Sequence, residues 1–123
     1  MLGAFVTGPQ YVQAQRLRLS LMKEVDALFG TVDAILCAPA HGAAPLASES
    51  DDGPWRRAQP ITAAFNVTGH PALCLPAGFA ANGLPLSLQI VGRNFDEATV
   101  LRIGQAYEQA TEWHTRRPPE AWA

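Results

Sequence analysis

The sequence predicts an α/β fold in which a small mixed β-sheet is covered by helices. Three observations carry that expectation. Segments near both ends repeat apolar residues at helical spacing. Three short apolar runs between them are each closed by Pro or Gly, the mark of buried strands. Of the 123 residues, 48% are hydrophobic and only 16% charged, below the usual share of about 25%. A chain of this size buries roughly two-thirds of its unfolded surface. The small charged share also points to a surface partly covered by something else.

The first helix starts at Thr7 or Gly8, where Pro9 suits the first turn because its missing N–H needs no partner there. Ala14, Leu17, Leu21, Val25 and Leu28 recur at spacings of three and four, which makes one apolar face. Gly30 is expected to end this helix in a left-handed conformation. Residues 34–38 then read as a buried strand closed by Pro39. From Ala40 to Gln59 the chain turns polar, with Ser48, Glu49, Ser50, Asp51, Asp52, Gly53 and Pro54 forming a surface loop. A helical turn or two spans residues 61–67.

Residues 72–76 predict the second strand. Asn82-Gly83 marks a turn, and residues 86–91 alternate as a third strand ended by Gly92. These two strands are expected to run antiparallel, through a loop longer than a tight hairpin. The last helix is expected near Asn94, with Glu97 completing a capping box. Val100, Leu101, Gly104 and Tyr107 share one face, and Gly104 is expected to let that helix approach the sheet closely. Pro118-Pro119 cannot continue it.

Charge and composition exclude several function classes. Nine basic against eleven acidic residues give a net charge of −2. Arg16/Arg18, Arg56/Arg57 and Arg116/Arg117 are scattered, so no basic stripe serves nucleic acid. No apolar run approaches the ~18 residues that span a bilayer, and the start lacks the basic region of a signal peptide. A cytoplasmic location is expected, with no membrane partner. Two cysteines make neither a disulfide framework nor a zinc site. No Gly-rich phosphate loop is present, and no cofactor or metal is expected.

Candidate nucleophiles are sparse. Cys37 lies four residues from His41, and Cys74 four from His70. A thiolate beside histidine can attack a carbonyl. Both cysteines fall in apolar strands, however, where a free thiol acts as a small hydrophobe that reacts slowly. Of the four serines, Ser20 is mid-helix, Ser87 is in a strand, and Ser48 and Ser50 are in the acidic loop. None stands in a Gly-x-Ser-x-Gly elbow. The single lysine, Lys23, reads as an exposed helix residue. Asp51-Asp52 lacks a third carboxylate nearby. His114, beside Trp113, suits a helix terminus. Taken alone, these residues describe a compact α/β piece without visible catalytic machinery.

The run Phe65-Asn66-Val67-Thr68-Gly69-His70-Pro71-Ala72 continues through Leu75-Pro76-Ala77-Gly78. It goes on from Gly83-Leu84-Pro85-Leu86-Ser87-Leu88-Gln89-Ile90-Val91-Gly92. This resembles the C-terminal part of the amidase signature family. Residues 8–16, 32–39 and 95–101 resemble neighbouring pieces of that family in the right order, so the likeness covers residues 3 to about 112. It implies residues 1–115 as a C-terminal segment of an amidase signature domain, with 116–123 as a tail.

The resemblance implies amide hydrolysis in a complete enzyme, with acyl-enzyme formation on a serine. The family's Lys–cis-Ser–Ser triad and its Gly/Ser-rich signature have no counterpart here, so no catalytic residue carries over and the isolated chain is expected to be inactive. Phe65, Asn66, Thr68, Gly69, His70 and Gln89 are expected to line one wall of the substrate pocket. Gln89 needs hydrogen-bond partners if buried. The expected partners are a small amide in a complete enzyme, and a missing N-terminal amidase portion or further copies of the chain. Gln59 stands where the glutamine-using branch carries an acidic residue, which favours the general amidase branch. Two other readings remain beside this one: a non-catalytic interaction or self-association module, and a small thiol enzyme using Cys74 with His70.

Overall fold

A computed structural model describes residues 3–46 and 62–117. The acidic loop around Ser48–Pro54, Gln59, Ile61 and Pro118-Pro119 lie outside the described residues. The elements in order are α1 (Gly8–Leu28), β1 (Ile35–Cys37), α2 (Ala63–Thr68), β2 (Ala72–Phe79), β3 (Pro85–Val91) and α3 (Glu97–Ala110), followed by a 3-10 turn at Trp113–Thr115. The α/β class and the small helix-covered sheet match the expectation. The strand order is β1-β3-β2. The sheet was expected to be mixed, yet both observed pairings are antiparallel.

The β2–β3 pair forms because Asn82 and Gly83 close its five-residue loop. Gly83 takes φ 80°, a conformation that costs an L side chain. Asn82 Oδ1 accepts from the Leu84 N–H at 3.2 Å. A bulge between Pro76 and Gly78 shifts the register, with Gly78 at φ 127°. Central β3 is covered on both sides, so Gln89, Ile90 and Val91 are all buried.

Alternation along the strands creates two cores. On one face Leu75, Ile90 and Val100 pack with Ala34, Leu73, Ile103 and Tyr107. On the other, Val25, Phe29 and Val91 pack with Leu21, Ile35, Cys37 and Phe65. α3 covers the first face and the C-terminal end of α1 covers the second.

The helices depart from their sequence reading at identifiable points. Gly30 is not left-handed. α1 instead closes through tight bonds from Phe29 N–H to Asp26 O at 3.2 Å and from Gly30 N–H to Ala27 O at 3.1 Å. Its apolar stripe is used only at the C-terminal end: Val25 is buried and Leu21 half-buried, while Ala14, Leu17 and Leu28 are exposed. Phe29, just past the helix, takes the core position. The cap of α3 is Asp96, whose carboxylate accepts from the Thr99 N–H at 3.3 Å, rather than Asn94. Leu36 and Leu101 are 61% and 60% exposed, against their expected burial. At the start of α1, Thr7 is the cap, and Gln10 Oε1 accepts from its N–H at 2.8 Å.

Gly104 behaves as expected. A Cβ there would overlap Leu73 Cδ2 and meet Leu75 Cδ1 at 3.4 Å. Replacing Gly104 by Val should destabilise by about 1–3 kcal/mol through overpacking. Gly104→Ala should cost less, because the Leu73 tip can swing and alanine restores about 1 kcal/mol of helix propensity. Urea unfolding of both variants measures the difference. Equal stability of Gly104→Val and the parent would mean that α3 does not sit this close to β2.

Candidate functional site

His70 has a side-chain partner on each of its two ring nitrogens. α2 ends at Gly69, which takes the left-handed φ of 81° and donates its N–H to Phe65 O at 2.7 Å. That turn points the His70 ring inward, where the side chain is fully shielded. Nδ1 lies 2.8 Å from Thr68 Oγ1 and Nε2 lies 3.1 Å from Asp26 Oδ1. The ring stacks on Phe29 at 5.4 Å. Asp26 Oδ1 also accepts from Asn94 Nδ2 at 3.0 Å.

The protons follow from what each atom can do. A carboxylate only accepts, so Nε2 carries a hydrogen. In the neutral ring Nδ1 then accepts, and the Thr68 hydroxyl donates to it. The hydroxyl's other nearby acceptor, Phe65 O, is farther away at 3.4 Å. The string Asp26–His70–Thr68 therefore has the order of a carboxylate–imidazole–hydroxyl relay. Thr68 is only 1% exposed, however, which denies a substrate the reach to its oxygen. The string ties α1, the α2–β2 turn and the β3–α3 connection together.

A second polar row crosses the sheet. Cys37 and Cys74 both pair with Gln89, so the three side chains share one face. Cys37 Sγ donates to Gln89 Oε1 at 3.4 Å, and Gln89 Nε2 reaches Cys74 Sγ at 3.7 Å. The buried amide thus has the partners it needs, supplied by thiols. Burial and, secondly, the neighbouring Cys74 push the Cys37 thiol pKa up. Cys74 is exposed, which corrects the expectation that both thiols act as small hydrophobes in apolar strands. The thiol-enzyme pairing is also absent. His70 spends both ring nitrogens on Thr68 and Asp26, and Cys37 bonds Gln89.

The six expected wall residues fall into two groups. Phe65, Thr68, Gly69 and His70 come together at the end of α2, and Asn66 is exposed on that helix. Gln89 lies in the cysteine row. Phe65 packs into the Val25 core, and only Asn66 and Gly69 of the six are exposed. Sequence reading missed Asp26 and Asn94, since nothing local marks a carboxylate whose partner is 44 residues away. Among the described residues no cluster of three His, Cys, Asp or Glu could hold a metal.

Ser20 donates to Glu24 one turn on at 3.4 Å. Ser87 and Lys23 are exposed on β3 and α1. Ser48, Ser50 and Asp51-Asp52 lie outside the described residues. His114 falls in the closing 3-10 turn rather than in α3, and its carbonyl accepts from Arg117 at 2.9 Å.

Comparison with known proteins places this arrangement. The amidase family model matches residues 1–101, and the chain belongs to that family. It is 42% identical over 110 residues to a glutamyl-tRNA(Gln) amidotransferase subunit of Ralstonia nicotianae, covering 88% of this chain and 22% of that protein. It is also 42% identical over 117 residues to a Mycobacterium bovis protein named as the amidase AmiD, covering 89% of this chain and 24% of that one. The chain thus spans about a quarter of the length of these curated relatives. Its fold resembles the solved structure of 6-aminohexanoate cyclic dimer hydrolase complexed with substrate. The TM-score is 0.77 at 22% identity, over 94% of this chain and 27% of that one.

Two measurements test the site. His70→Ala should destabilise by about 2–4 kcal/mol, by opening a cavity and removing the ring's bonds to Thr68 and Asp26. Asp26→Ala should cost about 1–3 kcal/mol, less than His70→Ala because it opens no cavity in the core, but still substantial because it leaves the buried His70 Nε2–H without its acceptor. Urea melts that reverse this order would contradict the described roles. For the thiols, alkylation followed by peptide mass spectrometry should label Cys74 before Cys37 at pH 7–8. The raised Cys37 pKa stabilises the folded thiol form. That contribution is complete below the unfolded pKa and is lost as pH rises through the folded one. Cys37 should therefore catch up only at alkaline pH.

Proposed function

We propose that this chain forms the C-terminal part of an amidase fold and builds one wall of the amide-binding pocket, while the hydrolytic residues are supplied elsewhere. The observation that carries the reading is the family match over residues 1–101, together with where the chain's own hydroxyls and amine lie. Ser87 lies on β3, away from the single lysine on α1, and Ser20, one turn from Lys23 on that exposed helix, is engaged by Glu24. Acyl transfer needs a nucleophile and a base within hydrogen-bond reach. In this reading Asn66 and Gly69 present the exposed part of the wall, and Phe65, Thr68, His70 and Gln89 hold it in place.

The branch stays open to test. Gln59 favours a general amidase, while relatives from both branches are 42% identical to this chain. A small amide is the proposed substrate class of the complete enzyme, with a cytoplasmic location. No helix of the described residues is long and apolar enough to cross a membrane. The alternative is a non-catalytic module that binds its own copies, favoured by the long exposed half of α1.

The purified chain should release no ammonia from simple amides above a buffer blank. Release that disappears on Lys23→Ala or Ser87→Ala would place the catalytic centre within this chain and sink the proposal.

A further inference from the structure

We propose that Asn82 is a site of covalent modification that the chain performs on itself: its side-chain amide is lost to attack by the Gly83 nitrogen, at a rate set by opening of the β2–β3 hairpin tip. The proposal stands apart from the amidase reading and needs no partner.

The sequence holds three asparagines, Asn66, Asn82 and Asn94. Attack on an asparagine amide within a chain comes from the next backbone nitrogen, and the side chain of that next residue obstructs it. Asn66 precedes Val67 inside α2, a β-branched residue whose methyls shield its nitrogen. Asn94 precedes Phe95, and its Nδ2 is tied to Asp26 Oδ1 at 3.0 Å. Asn82 alone precedes a glycine, and it stands exposed at the hairpin tip. Gly83 has no Cβ to cover its nitrogen. A Cβ built there would meet nothing within 4 Å, so no neighbour crowds the reacting atoms either.

The closed tip restrains this reaction. The Gly83 nitrogen must lose its proton before it attacks, and in the hairpin that N–H donates to Ala80 O at 2.9 Å. The Leu84 N–H holds the Asn82 side chain through Oδ1 at 3.2 Å, and the Ala80 N–H donates to Leu84 O at 2.9 Å. Attack therefore waits until these bonds open. The opening is local. The rung next to the loop pairs Phe79 with Pro85, and Pro85 brings no N–H to it. Behind that rung lies the bulge between Pro76 and Gly78. The tip releases its bonds while Leu73, Cys74 and Leu75 stay paired with Ile90, Gln89 and Leu88, and the core around Leu75 and Ile90 stays shut.

The chemistry balances with water alone. The Gly83 nitrogen gives up its proton and bonds to Asn82 Cγ. The Cγ–Nδ2 bond breaks, and ammonia leaves with that proton. Water then opens the resulting cyclic imide in one of two ways. Breaking the new bond to Cγ restores the ordinary backbone, with aspartate at position 82. Breaking the bond to the Asn82 carbonyl carbon leaves isoaspartate, with the chain rerouted through the side chain and lengthened by one atom. The two products fit the loop differently. An aspartate oxygen still accepts from the Leu84 N–H, now as a charged acceptor. The extra backbone atom of isoaspartate carries the Gly83 N–H away from Ala80 O. Either product adds one negative charge to a chain whose net charge is −2.

Incubation of the full chain at mildly alkaline pH tests the site, in buffer, in urea below the unfolding transition and in urea above it. Peptide mass spectrometry follows the amide-to-acid mass gain at each asparagine. The gain should appear at Asn82 before Asn66 and Asn94. The folded rate should lie about tenfold or more below the unfolded rate, and it should stay flat over the urea concentrations that leave the circular dichroism spectrum native. Gly83→Ala is read in the unfolded arm, where the folded φ of 80° no longer strains it. There the added Cβ should slow conversion about tenfold. Asn82→Asp should keep the native spectrum, as the product that retains the Leu84 bond. Four results would overturn the proposal: equal rates in the folded and unfolded arms, a folded rate that climbs in step with the unfolded fraction, conversion at Asn66 or Asn94 first, or undiminished conversion in Gly83→Ala.

Discussion

The contact between Asp26 and His70 is the constraint on which the assembly depends. It joins residues 44 apart in sequence, and it does so at the one place where three connections converge. α1 ends there, the α2–β2 turn passes through it, and the β3–α3 connection reaches it through Asn94. Without a partner, a buried imidazole N–H would cost the desolvation of that group. With Asp26 and Thr68 both in reach, each ring nitrogen is satisfied. The left-handed Gly69 serves the same end, because it sets the direction in which His70 enters the core. Phe29 then packs flat against the ring, so the polar knot is also the floor of the core that contains Val25 and Val91.

Local features of the fold were legible because local physics determines them. The Asn82-Gly83 turn, the alternation along β3, the start of α1 at Thr7 and the close approach at Gly104 all follow from residue type and spacing. The misreadings share a cause. A helical stripe shows that a face could be buried, not how far a neighbour extends along it, so Leu17 and Leu28 read as core and are exposed. Asn94 and Asp96 are both good caps. Tertiary pairing decides between them, since Asn94 is drawn away to Asp26.

The candidate site was legible to a similar depth. The requirement that Gln89 be hydrogen-bonded could be read from its residue type, but not that two thiols would meet it. Those partners depend on β1 and β2 flanking β3 in register, which is a property of the sheet. The histidines show the same limit. Spacing of four suggested thiol–imidazole pairs, whereas the extended strand carries Cys74 away from His70. Proximity in sequence is not proximity along a strand that advances about 3.3 Å per residue.

α1 is two helices in energetic terms. From Arg18 onward it is held, first by the bond from Arg18 Nε to Val67 O at 2.6 Å and then by Leu21, Val25 and Phe29. Ahead of that point ten residues from Gly8 to Leu17 are exposed and supported by their own backbone bonds and the Thr7–Gln10 cap. A solitary helical segment shorter than about 12–15 residues is marginal in water. Its amides should exchange with solvent through fraying from the Thr7 end, on a gradient that stops at Arg18, while the rest of the helix opens only with the core. The helix therefore works as a ratchet of stability along its length, and a proteolytic cut near Tyr11 would remove a projecting arm and leave the folded body standing.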